Sequence, residues 1–201
     1  MNSFYLRSCV AIACALGLAA CGGSGGTLVL AGSVIGLTKD GMTLQNNGGA
    51  ALAVPVGSTT FVFPDLIGID ASYNITVNNP PGAVCTVFNG SGKSGAINPV
   101  NIVVNCITNT YDLGGTVSGL DASGLTLVNG ADRQDIPAGA TSFSMTKLDP
   151  LTGSYASGRV PDGAPYGITV LSQPVGRNCS VANGIGTMGS APINNVKITC
   201  I

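Results

Sequence analysis

The stretch Tyr73-Asn74-Ile75-Thr76-Val77 decides the fold class, because large apolar side chains alternate along it with polar ones. This alternation predicts a β-strand with one face buried in a core and the other facing water. Nearly the same residues return at Tyr166-Gly167-Ile168-Thr169-Val170. The recurrence indicates that the chain contains one β unit twice.

Four further matches, in the same order along the chain, extend the repeat. They pair Leu30–Leu37 with Leu113–Leu120, Gly41–Leu44 with Gly124–Leu127, Cys85–Gly90 with Cys179–Gly184, and Cys106–Ile107 with Cys200–Ile201. The offset grows from 83 at the first match to 94 at the last, so the second copy carries a net insertion of 11 residues (94 − 83). We predict two domains, at residues 27–108 and 109–201, with an inserted hairpin near residues 146–164.

Short alternating segments, separated by Gly, Pro, Asn and Asp turns, predict seven strands in the first copy. They are Val29–Ile35, Met42–Asn46, Ala50–Val54, Thr59–Phe63, Tyr73–Asn78, Val84–Phe88 and Asn101–Ile107. Seven short strands in about 80 residues are typical of an antiparallel β-sandwich. The predicted fold class is therefore all-β, with two tandem sandwiches.

The start of the chain has the pattern of an export signal. A weakly positive segment is followed by an apolar run at Ser8–Ala20, which is too short to remain as a membrane-spanning helix. The run ends in Leu18-Ala19-Ala20-Cys21, which resembles the lipobox of bacterial lipoproteins. The resemblance implies that residues 1–20 are removed and that Cys21 carries a thioether-linked diacylglycerol and an acylated amine. An ordinary signal peptide with a chance cysteine is the alternative.

The residues after Cys21 bear on where such a protein would reside. Gly22–Gly26 is a Gly-rich spacer, which predicts a flexible link to the folded part. By resemblance to enterobacterial sorting rules, an Asp directly after the lipidated cysteine retains a lipoprotein in the inner membrane. Gly22 stands there instead, so we expect a lipid-anchored envelope protein in the outer membrane.

The repeats themselves resemble known modules. Three motifs follow one another in the first copy: Gly-x-Val-x-Gly-Leu at Gly32–Leu37, Phe-x-Phe at Phe61–Phe63 and Tyr-x-Ile-Thr-Val at Tyr73–Val77. This order is similar to that of prealbumin-like and immunoglobulin-like modules of bacterial envelope proteins. With the Cys-[Thr/Ser]-Val-x-Asn-Gly block, both copies look like a tandem module of proteobacterial lipoproteins. The resemblance implies sandwich architecture and says almost nothing about activity.

Four cysteines follow Cys21, two in each copy and 21 positions apart within each pair. Four cysteines allow three pairings. The preserved spacing favours Cys85–Cys106 and Cys179–Cys200, because each copy must fold with its own bond. Closing a loop of this length contributes roughly 3 kcal/mol in the chain-entropy model. A metal or redox pair is the less favoured interpretation.

Few residues carry recognisable chemistry. The chain has no His, and its eight Lys and Arg against nine acidic residues form no basic patch, so we expect no enzyme activity and no nucleic-acid partner. Gly90–Ser94 resembles part of a phosphate-binding loop, but Val87 stands where that motif needs Gly. We interpret the segment as a hairpin loop between the disulfide-bonded strands.

Acidic residues offer one possible metal site. Asp132 and Asp135 are predicted to be turn or surface residues, and a weak Ca²⁺ site that uses them or Asp149 is the open alternative. Because nothing in their spacing selects calcium, we predict no metal and no cofactor other than the lipid on Cys21.

The insertion is the one asymmetric feature, and it holds the candidate ligand surface: Asp149, Tyr155 and Arg159. A tolerated surface insertion is the competing interpretation. The function predicted from these residues is a non-enzymatic structural or interaction module, tethered to the membrane by lipid, whose partner is an envelope protein or glycan. The alternative is a carbohydrate- or peptide-binding module that uses loops of the second repeat.

Overall fold

The computed structural model describes residues 27–148 and 155–201. The predicted signal peptide, the spacer, Cys21 and Asp149 lie outside these ranges. Within them, the regular secondary structure consists of β-strands, so the all-β fold class is confirmed.

The first repeat contains eight strands in two four-stranded sheets. The strands are β1 (Ala31–Ile35), β2 (Thr43–Asn46), β3 (Leu52–Ala53), β4 (Thr60–Val62), β5 (Ser72–Asn78), β6 (Ala83–Phe88), β7 (Ser91–Lys93) and β8 (Val103–Thr108). One sheet has the order β4-β1-β8-β6 and the other β3-β2-β5-β7. All seven predicted strands are present, and their ends lie within two residues of the predicted ones.

The second repeat is built in the same order. Its strands are β9 (Thr110–Tyr111), β10 (Leu113–Ser118), β11 (Leu125–Asn129), β12 (Asp132–Ile136), β13 (Ser142–Ser144), β14 (Thr146–Leu148), β15 (Tyr155–Ser157), β16 (Val160–Pro161), β17 (Pro165–Ser172), β18 (Cys179–Ala182), β19 (Ile185–Thr187) and β20 (Ile193–Cys200). The sheets β13-β10-β20-β18 and β12-β11-β17-β19 repeat the two orders of the first copy. The short pairs β14–β15 and β9–β16 are additions to that plan.

Each sandwich contains one parallel pairing among its antiparallel ones. Strand β1 lies antiparallel to β4 but parallel to β8, with Ser33 opposite Val103 and Ile35 opposite Asn105. Strands β10 and β20 are parallel in the same way. The last strand of each repeat therefore lies beside the first, and the sheet closes only after the whole repeat has been placed.

Strand β7 corrects the interpretation of Gly90–Ser94 as a hairpin loop. This segment leaves the sheet of the disulfide and pairs antiparallel with β5 in the opposite sheet, where Tyr73 lies opposite Gly92. A Cβ atom at Gly90 would lie 2.5 Å from Cγ1 of Val87, so a side chain there would clash with β6, the strand that precedes it. Glycine permits this close crossing, and Gly184 occupies the matching place against Val181.

The hydrophobic core is divided in the same way as the sequence repeat. One cluster comprises Leu28, Leu30, Val34, Leu37, Met42, Leu44, Val54, Phe61, Phe63, Ile67, Ile75, Cys85, Ile102, Val104 and Cys106. The other comprises Leu113, Val117, Leu120, Leu125, Leu127, Ile136, Met145, Val160, Ile168, Cys179, Met188, Val196, Ile198 and Cys200. The division into independent domains stays a prediction.

The two disulfide bonds each join neighbouring strands of one sheet. Cys85 on β6 lies directly opposite Cys106 on β8, with the Cα atoms 3.9 Å apart, and Cys179 bonds Cys200 between β18 and β20 in the same geometry. All four side chains are buried, so the bonds belong to the cores. This differs from antibody domains, in which the bond crosses between sheets.

The repeats meet at a polar junction around Asn109. Its N–H donates to the carbonyl of Gly82 at 2.9 Å, and its carbonyl accepts from the N–H of Asp162 at 2.8 Å. The ammonium of Lys39 donates to both the carbonyl and the carboxylate of Asp162, at 2.7 and 2.6 Å. Only 19 % and 17 % of these two side chains are exposed, so the pair is shielded from water.

We predict that the double substitution Cys85→Ala and Cys106→Ala destabilises the first repeat by about 2–5 kcal/mol, because the unfolded chain regains the entropy of the open loop. Hydrogen exchange followed by mass spectrometry should show faster exchange in residues 27–108 and little change in 113–201. The matched substitutions at Cys179 and Cys200 should reverse this pattern. Equal loss of protection in both repeats would contradict independent cores.

We also predict that Lys39→Ala lowers the free energy of unfolding by about 1–3 kcal/mol, because the shielded carboxylate of Asp162 loses its charged donor. Lys93→Ala is the control: this lysine is exposed on β7, and its loss should change stability by less than about 0.5 kcal/mol. Urea unfolding of both variants measures the difference. Equal effects would show that the Lys39–Asp162 pair contributes no more to stability than an exposed lysine does.

Candidate functional site

The inserted segment contributes an antiparallel hairpin to the second repeat. Lys147 of β14 lies opposite Ala156 of β15, and Leu148 lies opposite Tyr155. Tyr155 is thus the first residue of the returning strand, and Asp149 falls outside the described residues. Arg159 follows the hairpin, where its Nε donates to Oδ1 of Asp112 at 3.1 Å. The ligand surface proposed from these three residues remains a prediction.

Backbone contacts at Met145 set the base of this hairpin. The Met145 N–H donates to the carbonyl of Leu113 at 2.8 Å, and its own carbonyl accepts from the N–H of Gly158 at 2.8 Å. A Cβ atom at Gly158 would lie 2.9 Å from the Met145 carbonyl, so only glycine fits there without displacement. The buried Met145 side chain anchors the start of the hairpin in the core.

Beside the hairpin lies an open cleft of about 260 Å³, lined by Arg133, Gln134, Asp135 and Thr146. The hydroxyl of Thr146 donates to Oε1 of Gln134 at 2.6 Å, which ties the hairpin to the edge strand β12. Sequence reasoning singled out Asp135 but missed Gln134 and Thr146. No local signal marks these two residues, because they meet only when the insertion folds back on β12.

Hydrogen bonds and charge hold the cleft carboxylate in its ionised form. The hydroxyl of Thr126, directly across the sheet, donates to Oδ1 of Asp135 at 2.7 Å, and the guanidinium of Arg133 lies 3.4 Å from the same oxygen. The Thr126 hydroxyl, together with the weaker attraction of Arg133, lowers the pKa of Asp135 below its usual range. The cleft therefore presents a fixed negative charge beside a positive one.

Asp132 and Asp135 do not converge on a common ion. They are three residues apart on one strand, so their side chains leave opposite faces of the sheet. In residues 27–148 and 155–201, no group of three acidic, Cys or His residues is arranged to hold a metal. The possible contribution of Asp149 to a calcium site lies outside these ranges.

A second open cleft, of about 540 Å³, lies between the turn after β10, the turn before β13 and the turn before β18. An ion pair between Asp121 and Arg177 crosses it, with two guanidinium nitrogens donating to the two carboxylate oxygens. Hydrogen bonding from Arg177 lowers the pKa of Asp121 and the carboxylate raises the pKa of Arg177. Both partners are well exposed, so this pair contributes little to stability.

These two clefts can bind polar groups by hydrogen bonds and charge. The cleft beside the hairpin is lined by a guanidinium, an amide, a carboxylate and a hydroxyl, which already bond one another or Thr126. In the second cleft, the charged groups are Asp121 and Arg177, and apolar residues such as Val117 and Leu120 form part of the lining. Within the described part of the chain, no helix is long and apolar enough to cross a membrane.

Comparison with known proteins yields structural similarity only. No protein-family model matches the chain, and no curated protein matches it. Among solved structures, the Bacillus anthracis TIE protein is 14% identical and similar over 86% of this chain, which spans only 34% of that one, with a TM-score of 0.47. The major pilin protein (T-13) from Streptococcus pyogenes serotype GAS131465 is 15% identical, with 88% of this chain and 96% of that one covered and a TM-score of 0.29. These identities are too low to transfer residue roles.

We predict that Thr126→Val raises the pKa of Asp135 toward the ordinary range, because the carboxylate loses its best donor while the buried volume is kept. A lowered folded-state pKa stabilises the protein above the unfolded-state value, near pH 4, and this stabilisation disappears as the pH falls through the folded-state pKa. The variant should therefore be less sensitive to acid over that interval. Titration of the Asp135 carboxyl carbon by NMR measures the shift.

The control for this titration is Thr43→Val, at the matching position of the first repeat. It should leave the Asp135 pKa where it is in the native protein. An unchanged titration in the Thr126 variant would show that Arg133, and not the hydroxyl, holds the carboxylate.

Proposed function

We propose that this protein is a lipid-anchored component of the bacterial envelope that acts as a non-enzymatic structural or interaction module. The observation that carries the proposal is Leu18-Ala19-Ala20-Cys21 at the end of an apolar run, followed directly by the spacer Gly22–Gly26. In this order, an export signal, a lipid acceptor and a flexible link precede the folded repeats. Gly22 after the acceptor favours the outer membrane.

The disulfide bonds support export on independent grounds. Cys85–Cys106 and Cys179–Cys200 are both formed within buried cores, and bonds of this kind persist in oxidising compartments outside the cytosol. Since the bonds occupy matching places in the two repeats, a redox role at one of them alone is not favoured.

The surface of the second repeat supports a recognition role more than a catalytic one. In the cleft beside the hairpin, the Asp135 carboxylate is held ionised by the Thr126 hydroxyl, and Gln134 is bonded to Thr146. General acid–base catalysis needs a group whose pKa lies near the working pH, and the shift at Asp135 is in the opposite direction.

A second candidate function is the binding of a carbohydrate or peptide by this cleft. The specific observation in its favour is the juxtaposition of Arg133, Gln134 and Asp135 with the inserted hairpin, which the first repeat lacks. Arg133 and Asp135 leave the same face of β12, so a guanidinium and a carboxylate can together bond hydroxyl or peptide groups of a ligand.

The anchoring is tested by Cys21→Ser in cells fed a palmitate analogue. We expect the native chain to be labelled and to fractionate with the envelope, and the variant to remain an unlabelled precursor, because serine offers no sulfur for the thioether. Ser24→Ala, three residues further on in the spacer, is the control and should be labelled like the native chain. Equal label in the Cys21 variant would refute lipidation, and a pull-down of the lipidated chain from envelopes would identify a bound protein or glycan.

A further inference from the structure

The end of the first sandwich at which the chain arrives is formed by two loops, residues 64–70 and 94–101; we call it the proximal end. The backbone N–H groups of Thr27 and Leu28 both donate to the carbonyl of Ile67, at 3.1 and 3.0 Å. The N–H of Val29 donates to Oδ1 of Asn98 at 2.8 Å. The arriving chain is therefore bonded to both loops.

Four large aliphatic side chains project from these loops into solvent. The exposed fractions are 44% for Leu66, 60% for Ile69, 69% for Ile97 and 63% for Val100. Single exposed apolar residues are common on protein surfaces, but a group of four at one end of a small domain indicates a contact surface.

The loops are held together, so this exposure belongs to a defined conformation. The Ser94 hydroxyl is buried, donates to the carbonyl of Gly68 at 2.7 Å and accepts from the N–H of Ala71 at 3.1 Å. The N–H of Asp70 donates to the carbonyl of Gly95 at 2.9 Å. The apolar side chains are thus presented on a preorganised support.

The second repeat shows that the fold does not require two of these side chains, Ile97 and Val100. From Cys85 to Ile107, the two copies align without a gap at an offset of 94. At this offset, Ile97 corresponds to Ala191 and Val100 to Asn194. The same sandwich forms with small or polar residues at these places, so the apolar ones in the first copy serve something other than folding.

The direction of the strands and the length of the preceding chain indicate that the proximal end is the part of the fold nearest to Cys21. Strand β8 starts at Val103 beside the proximal end and runs to Thr108 at the other end, where the second repeat begins. From Cys21 to Thr27 the chain advances six residues, which reach at most roughly 20 Å when fully extended. A lipid on Cys21 would therefore hold the proximal end within that distance of the bilayer.

We propose that the proximal end rests on the lipid surface, with Leu66, Ile69, Ile97 and Val100 at the boundary between headgroups and acyl chains. This inference rests on the proposed lipid anchor, which keeps the end at a high local concentration near the bilayer. The contact is apolar in character, because Asp65 and Asp70 lie in the same loops and would be repelled by anionic lipid. It should form on zwitterionic vesicles and persist in high salt.

The chain contains no tryptophan, so one can be introduced as a unique depth reporter. The lipidated full chain carrying Ile97→Trp is placed in phosphatidylcholine vesicles with brominated acyl chains, and Ala191→Trp at the matching place of the second repeat is the control. We expect the reporter at position 97 to lose most of its emission by contact with bromine and to shift to the blue. The reporter at position 191 should keep both its emission and its wavelength.

A second variant adds Leu66→Asn and Val100→Asn to the position 97 reporter. Both side chains are exposed, so the fold should be retained, and quenching should fall toward the level at position 191. Unquenched emission at position 97, while the protein floats with the vesicles, would overturn this inference and leave the anchor intact. That result would indicate that the proximal end binds a protein and not lipid. Failure of the lipidated chain to float would overturn the anchor and, with it, this inference.

Discussion

The structure depends on the pairing of the first and last strands of each repeat. Strand β8 lies between β1, to which it is parallel, and β6, to which Cys106 bonds it covalently. All the residues between β1 and β8 must be placed before this pairing can form, so the contacts that complete the sheet are distant in sequence. In such a fold, the chain loses the entropy of loop closure before the pairing can stabilise it. The disulfide removes the separate cost of bringing β6 against β8, so that these two strands can receive β1 as one preformed edge.

Duplication has kept this scaffold and changed the surfaces that it carries. Both copies preserve the sheet order, the disulfide and the glycine at which the chain crosses between sheets, Gly90 and Gly184. The first copy has apolar loops at the end where the chain arrives, and the second has the hairpin β14–β15 and the polar cleft beside it. Loops can differ in this way because they do not contribute to the pairing of the first and last strands.

The junction adds a constraint that neither copy has alone. Asn109 bonds both repeats through its backbone, and Lys39 of the first reaches Asp162 of the second. Because these groups are polar and partly shielded, they set a relative position without joining the two hydrophobic cores. A partner or membrane contact at one end of the first repeat therefore also bears on the second repeat, because these hydrogen bonds and this ion pair join the two repeats in addition to the connecting chain.

Sequence by itself determined the β class, the repeat, seven of the eight strands in the first copy and the pairing of cysteines that the structure contains. These features are local or periodic: alternation reports which face of a strand is buried, and equal spacing reports duplication. Only the tertiary structure decided that β7 leaves one sheet for the other, that β1 and β8 are parallel, and that Gln134 meets Thr146. It also decided that Ile97 is exposed while Ile102, five residues on, is buried. Alternation cannot supply these facts, because it does not encode which distant segment covers a given face.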